Sequence, residues 1–303
     1  MSILENLVCP VCHAPLEHTQ TTLTCVKCRQ TYSINRTFPD LLVGARFEDD
    51  FCECLWCNEE NTGRFLSENY LAPLFTRLQE NARHRPAKVL SIGCGVGTDV
   101  EALCERGFDA YGIDSGNRSR YWERRKQPER YAVANAKYLP FENESFDFIV
   151  MGCVLPHIGV GNDTYVTQPD YVEQRARTVS EMVRVTKKDG YLIVSSPNKR
   201  CPLDFFHRRS VSSHMPRLHW PWESFLLSLN DYRHFFLKEN GCRRIDVMPL
   251  RGYWGFFSSS KYLLGKILQL PVRFYFENIL SWRAFGFIRK TAVNPWLILL
   301  IKK

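Results

Sequence analysis

Short apolar runs alternate with polar turns and helical stretches through the middle of this chain. Val89, Leu90 and Ile92 make a run of the kind buried in a parallel sheet. Gly93, Gly95 and Gly97 then turn the chain, and Val100-Glu101-Ala102-Leu103 begins a helix. A second strand is expected at Phe108–Ile113, closed by Asp114. A third leads to Asn135-Ala136, and Phe146–Val150 starts a fourth. A helix ends at Glu181–Val185, Lys188-Asp189-Gly190 makes a turn, and Tyr191–Val194 forms a fifth strand ending at Ser196-Pro197-Asn198. Strands alternating with helices predict a doubly wound parallel sheet. In such sheets ligands bind at the carboxyl ends of the strands.

The two ends of the chain read differently. Leu16 and the alternating Thr22-Leu23-Thr24 predict a small hairpin, with Thr31–Ile34 as a third strand. Toward the C-terminus, Arg243–Pro249 and Asn294–Ile301 read as strands separated by a long aromatic and basic insertion near 252–291. Within it Leu263, Leu264, Ile267 and Leu268 fall at helical spacing. The favoured expectation is a helical cap packed on the core; the other is an interfacial helix pair that admits a lipid-linked molecule. The boundaries expected are 1–43 for an N-terminal unit, 44–86 for a helical connector, 87–200 for a ligand-binding core and 201–303 for the remainder.

Composition narrows the setting. The apolar fraction of 45% and charged fraction of 24% are ordinary for a globular protein. The start, MSILENLVCPVC, has no basic stretch followed by an apolar run, so no secretory signal is expected. The longest clean apolar run, Trp296–Ile301, is far short of the roughly 20 residues of a membrane span. A cytoplasmic location is expected, with peripheral contact at a membrane left open. The net charge of +8 is uneven: Arg200 to Lys303 holds 17 Lys/Arg against 6 Asp/Glu. That surplus suits a nucleic acid, an anionic membrane surface or a phosphorylated substrate, or is simply a solvated face.

Seven of the 12 cysteines crowd into the first 57 residues. Cys9, Cys12, Cys25 and Cys28 form two Cys-x-x-Cys pairs, a spacing that brings four thiolates onto one ion. Zinc suits four thiolates, and a complete set leaves no open position for chemistry. About forty residues bury too little to fold alone, so the expected role is structural. His13 and His18 are surplus to the set. Cys52, Cys54 and Cys57 make an incomplete set and read as reduced cysteines on the connecting helix.

The glycine turn allows close backbone approach to a ligand, with helix N–H groups aimed at it. A nicotinamide fingerprint would want a third glycine at position 98, where this chain has Thr98, and a Walker loop would need Gly-Lys-Ser/Thr. Asp114 stands 17 residues past Gly97, where a carboxylate accepts hydrogen bonds from both ribose hydroxyls rather than capping the next helix.

Two resemblances follow from these motifs. LVCPVC, APLE, CVKC, TYSI and FPDLLVG, over Leu4–Val43, resemble the small zinc-ribbon proteins related to the activating subunit of certain tRNA and release-factor methyltransferases. In that family the ribbon is a structural or partner-binding module. SIGCGVGTD, GIDSG, the LPF…SFDFIV block and EMVRVTKKDGYLIVSSPN, over Lys88–Asn198, resemble the class I S-adenosylmethionine-dependent methyltransferases, in particular the group with quinone-biosynthesis enzymes. The fold class implied is α/β: a doubly wound, mostly parallel seven-stranded sheet, Rossmann-like, preceded by a small zinc ribbon. The resemblance implies that Gly93, Gly95 and Gly97 cradle the methionine part and adenosine, and that Asp114 takes the ribose. It puts Asn135 where the family usually has Asp, facing the adenine amino group, and the Ala136 N–H at the ring. Gly152 would lie near the methionine end. His157, in VLPHIG, stands on the rim where the family often has a His, either as a base or as an acceptor-binding group. His207, His214 and His219 fall in the stretch expected to supply acceptor contacts, with at least two of them readable as surface residues.

The favoured function is transfer of a methyl group to a small, glycan-like or lipid-linked acceptor, most readily at oxygen. The runner-up is an rRNA or tRNA methyltransferase. Zinc-bearing rRNA guanine methyltransferases place a metal clip ahead of the same fold, but mix a His into ligands that here are all Cys. A third reading is a non-catalytic zinc-ribbon partner protein, against which the intact cofactor motifs argue.

Overall fold

The computed structural model describes residues 2–35, 37–48, 53–79, 86–161, 165–208, 216–256 and 263–303. Four short strands come first: β1 (Leu16–His18), β2 (Thr22–Cys25), β3 (Thr31–Asn35) and β4 (Phe38–Asp40). Two helices joined by a π-helical turn at Ser67–Leu71 follow, α1 (Glu53–Leu66) and α2 (Ala72–Gln79). The alternating region supplies β5 (Lys88–Ile92), α3 (Thr98–Glu105), β6 (Asp109–Asp114), β7 (Tyr131–Val133), β8 (Phe146–Gly152), α4 (Tyr171–Val185) and β9 (Thr186–Pro197). The remainder contains β10 (Leu203–Arg208), β11 (Pro216–Leu218), α5 (Leu229–Arg233), β12 (Arg244–Val247), α6 (Leu263–Phe274) and β13 (Trp296–Lys302).

Seven strands, in the order β7-β6-β5-β8-β9-β13-β12, make the expected doubly wound sheet. The first five are parallel; β13 runs antiparallel to both β9 and β12. The strand order reverses direction at β5, so the carboxyl ends of β5 and β8 open a crevice between them. The apolar runs behave as read: β5 buries Val89, Leu90 and Ile92, and β13 buries all but Leu300 and Lys302. Lys188-Asp189-Gly190 is not a free turn. It is a bulge inside β9, where the register against β8 shifts between Phe146 and Phe148 and Asp189 takes a left-handed φ of 64°.

The sheet does not stop at β7. Strand β4 pairs in parallel with it, Asp40 opposite Val133, and the Leu41 N–H donates to the Val133 carbonyl at 2.8 Å. Strands β1 to β4 therefore extend one continuous sheet of 11 strands. Packing follows the pairing. Ile3, Leu7, Cys9, Leu23, Cys25, Tyr32 and Leu41 belong to the same buried cluster as Leu139, Phe141 and Met182 of the alternating region. The Val8 N–H donates to the Pro140 carbonyl at 3.0 Å, and Lys88 Nζ donates to Asn6 Oδ1 at 2.6 Å.

The insertion meets the favoured expectation in part: its Tyr253, Phe276 and Leu280 join the buried core cluster, whereas on α6 Ile267, Leu270 and Phe274 are 62%, 75% and 60% exposed. Pro271 falls inside α6, where it removes a donor from the helix ladder. No described helix is long and apolar enough to cross a membrane. Of the extra cysteines, Cys57 is exposed and joins no metal-competent group among the described residues. Cys52 and the side chain of Cys54 lie outside the described residues, as does His214.

Because ribbon and catalytic sheet share strands and core, they are expected to melt together. Cys25→Ser, or zinc removal by a strong chelator, should lower the single melting temperature of the full chain by about 10 °C or more. Calorimetry showing two transitions, with only a minor one sensitive to metal, would contradict this.

Candidate active site

The four ribbon thiols converge as their spacing predicts. Cys9 and Cys28 Sγ are 3.6 Å apart, and Cys12 and Cys25 Sγ 3.4 Å. A tetrahedral zinc with bonds of about 2.3 Å would hold its sulfurs about 3.8 Å apart, so the set fits the ion with little movement. The Lys27 and Cys28 N–H groups, each 3.4 Å from Cys25 Sγ, and the Tyr32 hydroxyl, 3.4 Å from Cys9 Sγ, are placed to donate to thiolate charge. His13 points elsewhere, its Nε2 3.9 Å from Glu181.

The second centre lies at the crevice. Gly93, Gly95 and Gly97 take φ of 71°, 54° and 83°, the left-handed region that favours glycine. Three side chains bind three successive carbonyls of this turn. Trp122 Nε1 donates to Gly95 O, Arg125 Nε to Val96 O and the Tyr131 hydroxyl to Gly97 O, each at 2.8 Å. Arg125 is buried and held in turn by Glu60 and Glu101. With its carbonyls fixed from behind, the turn has one available shape. Its glycines are not equivalent. A Cβ on Gly97 would lie 2.5 Å from the Tyr131 ring, so that glycine makes room for a clasp rather than for a ligand.

One cavity of about 840 Å³ brings together Gly93, Asp114, Asn135, Ala136, Gly152 and His157. Gly95 and Gly97 are not in its lining. Asp114 accepts the Gly95 N–H at 2.9 Å on one oxygen and the Gly116 N–H at 2.7 Å on the other. The two backbone donors hold the carboxylate in one orientation at the end of β6. Asn135 Oδ1 accepts the Lys137 N–H at 3.0 Å, and its Nδ2 donates to the Val43 carbonyl at 3.1 Å. That bond ties the site to the ribbon's exit. Residues 45–48 form one wall, pinned by the Phe47 N–H to Ser115 O and the Asn117 N–H to Phe47 O, both at 3.1 Å. The ion pair of Glu59 and Arg118, 3.2 Å apart, also lines the cavity. Neither that pair nor the wall carries a local sequence signature.

The far end is built from segments distant in sequence. His157 Nε2 lies 3.1 Å from His207 Nε2. His207 Nδ1 contacts Asp204 Oδ2 at 2.7 Å, and Asp204 also takes Arg217 at 3.4 Å. Burial, then the charge of His207, pushes His157 down to about 3, so its imidazole is neutral at neutral pH. Burial works to raise Asp204, but its bonds to His207 and to backbone amides hold it below the ordinary carboxylate range. Cys153, in the left-handed region at φ 55°, points its sulfur within 3.9 Å of His207 Nε2. Sequence reading singled out His157 and placed His207 only in a general acceptor region. His219 is not a surface residue; it is buried 3.3 Å from Glu223.

Gly97→Ala tests the clasp. The methyl meets the Tyr131 ring at a backbone angle that already disfavours alanine, so a loss of about 2–4 kcal/mol in unfolding free energy is expected. An unchanged denaturant midpoint would remove the contact from the account.

Residues 90–194 match the family described as methyltransferase domain, and residues 2–36 the family described as Trm112p-like protein. No curated protein matches the chain significantly. Among solved structures, the plantazolicin methyltransferase BpumL with SAH has 12% identity and a TM-score of 0.48, over 82% of this chain and 89% of that one. A complex of the Haloferax volcanii Trm112 methyltransferase activator with a methyltransferase has 11% identity and a TM-score of 0.44, over 82% and 95%. An S-adenosylmethionine-dependent methyltransferase of Aquifex aeolicus has 18% identity and a TM-score of 0.42, over 65% and 93%. These TM-scores are all below 0.5, and the assignment stands on the strand order and the family matches. The chain carries a methyltransferase domain at residues 90–194, joined to a Trm112p-like zinc ribbon at residues 2–36, and is an S-adenosylmethionine-dependent methyltransferase.

Proposed function

We propose that this methyltransferase moves the methyl group of S-adenosylmethionine to an oxygen of a small or glycan-like acceptor carried on a lipid. In this reading Asp114 holds the ribose hydroxyls, and Asn135 and Ala136 meet the adenine. Gly93 lets the backbone approach, and Gly152 lies beside the methionine end. The acceptor arrives at Cys153 and His157, which face the other end of the same cavity. Transfer from a sulfonium is an in-line displacement, so most of the catalysis is alignment of the acceptor atom within about 3–3.5 Å of the methyl carbon. His157, neutral and half-buried, orients the acceptor.

The observation that carries the lipid reading is the insertion. Ile267, Leu270 and Phe274 share one face of α6 and stand in solvent. Residues 261–290 contain six Lys/Arg and one Asp/Glu, and Trp282 and Phe287 are also exposed. An exposed apolar face among basic and aromatic residues matches an anionic bilayer surface. The insertion reaches the acceptor end: Trp254 stacks on Phe206, next to His207, with ring centroids 4.7 Å apart. The Tyr253 hydroxyl meets Ser195 Oγ at 2.5 Å, and the Ser195 carbonyl accepts the Cys153 N–H.

The Trm112p-like match favours a second reading, an rRNA or tRNA acceptor. Here strand β4 of the ribbon pairs with β7 of the same chain, so we infer that the ribbon's protein partner is its own catalytic domain.

Labelled S-adenosylmethionine should pass its label to the lipid fraction of a cell extract and not to RNA. Label in RNA, with binding that weakens steeply between about 50 and 200 mM salt, would establish the second reading instead. The paired variant Leu270→Asp/Phe274→Asp should weaken binding to phosphatidylserine vesicles at least about tenfold. Equal binding by both proteins would remove the membrane role. Asp114→Ala should weaken S-adenosylhomocysteine binding about 10–100-fold by calorimetry, the value of charged hydrogen bonds to two hydroxyls. Unchanged affinity would detach Asp114 from the ribose.

A further inference from the structure

We propose that Cys153, His157 and His207 form a second zinc site, open at its fourth position toward the cofactor cavity. The three donor atoms lie within 4.8 Å of one another. The nitrogens are 3.1 Å apart and the sulfur is 3.9 Å from His207 Nε2. A tetrahedral zinc with ordinary bond lengths separates two imidazole nitrogens by about 3.3 Å and a nitrogen from a thiolate by about 3.6 Å. The three atoms already outline one face of that tetrahedron.

The surroundings match a metal site better than a hydrogen-bonded pair. His207 Nδ1 faces Asp204 at 2.7 Å, which leaves its Nε2 as the atom turned toward His157 and Cys153. The carboxylate behind it is 1% exposed, and this carboxylate–histidine arrangement is the one that fixes tautomer and ring angle in metal centres. A proton between the two nitrogens would account for the histidine contact. It gives no reason for a cysteine to turn its sulfur to the same point, from a backbone angle few side chains adopt. One thiolate with two imidazoles suits zinc rather than magnesium or calcium.

This site differs from the ribbon in the respect that decides its chemistry. Four protein ligands close a zinc, whereas three leave room for a substrate. Cys153 and His157 line the cavity beside Gly152, so the vacant direction faces the expected path of the methyl group. In that role, which rests on the proposed oxygen acceptor, the acceptor hydroxyl binds the zinc and loses its proton to solvent. Its oxygen then bonds to the methyl carbon as the sulfonium S–CH₃ bond breaks. S-adenosylhomocysteine and a methyl ether result, and no other reactant is consumed.

The test is metal content of the full chain, purified with zinc and dialysed. His207→Gln and Cys153→Ala are each expected to lose about one zinc equivalent from a wild-type content of about two. His207→Gln should keep S-adenosylhomocysteine affinity within about threefold, since His207 is outside the cofactor wall. If both variants retain the wild-type content, the proposal is overturned and the group is a protein-only hydrogen-bonded cluster. Variants that both keep the wild-type metal content, with a wild-type protein that labels lipid, separate this failure from failure of the acceptor reading. Two zinc equivalents without label in any lipid separates the reverse.

Discussion

The parallel contact between β4 and β7 is the constraint on which the rest depends. It is short: Asp40 against Val133, with one backbone bond from Leu41. A strand of three residues has no stability of its own. It is held in place because β3 pairs with it on the other side, and because the cysteine cluster fixes the turns of the ribbon. A zinc held by the four thiols would thus act at a distance. It would fix the hairpin that presents β4, and β4 covers what would otherwise be an open edge of the sheet. The chain leaving β4 then becomes the wall formed by residues 45–48. A ribbon joined only by a flexible tether could not position that wall.

The same economy holds at the glycine turn. Left-handed glycines permit the shape but do not select it. Selection comes from Trp122, Arg125 and Tyr131, which bind the three carbonyls in sequence. Each donor comes from the segment after β6, so Asp114 and the clasp are laid down by one passage of chain. Fixing the carbonyls sets the shape of the turn, and with the Gly95 N–H bound to Asp114 the turn then orients that carboxylate before any cofactor arrives.

What the sequence made legible were features that a few adjacent residues determine. Four cysteines at Cys-x-x-Cys spacing, three glycines after an apolar run, and an aspartate closing the next strand each state a backbone requirement locally. Asp114, Asn135, Ala136, Gly152 and His157 accordingly fall around one cavity. The illegible features join distant segments. His157 and His207 are 50 residues apart, and nothing near either announces the other. The Gly97 assignment to the cofactor missed Tyr131 for the same reason, since only the sheet order brings that ring beneath the turn. The insertion was legible only in part. Helical periodicity identifies an apolar face but does not say what covers it, and on α6 Ile267 and Leu268 of that face are exposed, while Phe276 and Leu280 further along are buried.

These long-range joins cluster at the end of the cavity that holds His157. The cofactor half rests on elements that the fold itself dictates, the ends of parallel strands and the turn between β5 and α3. The other half, the acceptor side in the proposed reading, rests on Asp204, His207 and Arg217, carried by the small sheet of β10 and β11 outside the main sheet. Such an added sheet can change without disturbing the core, yet here it is not loosely held. Asp204 binds backbone amides of Phe206 and His207, and Phe206 packs between Trp254 and Trp296. The aromatic contact links the acceptor side to the insertion and to β13 together. The element next to His207 is thereby fixed from two sides, by the start of the insertion and by the last strand of the main sheet.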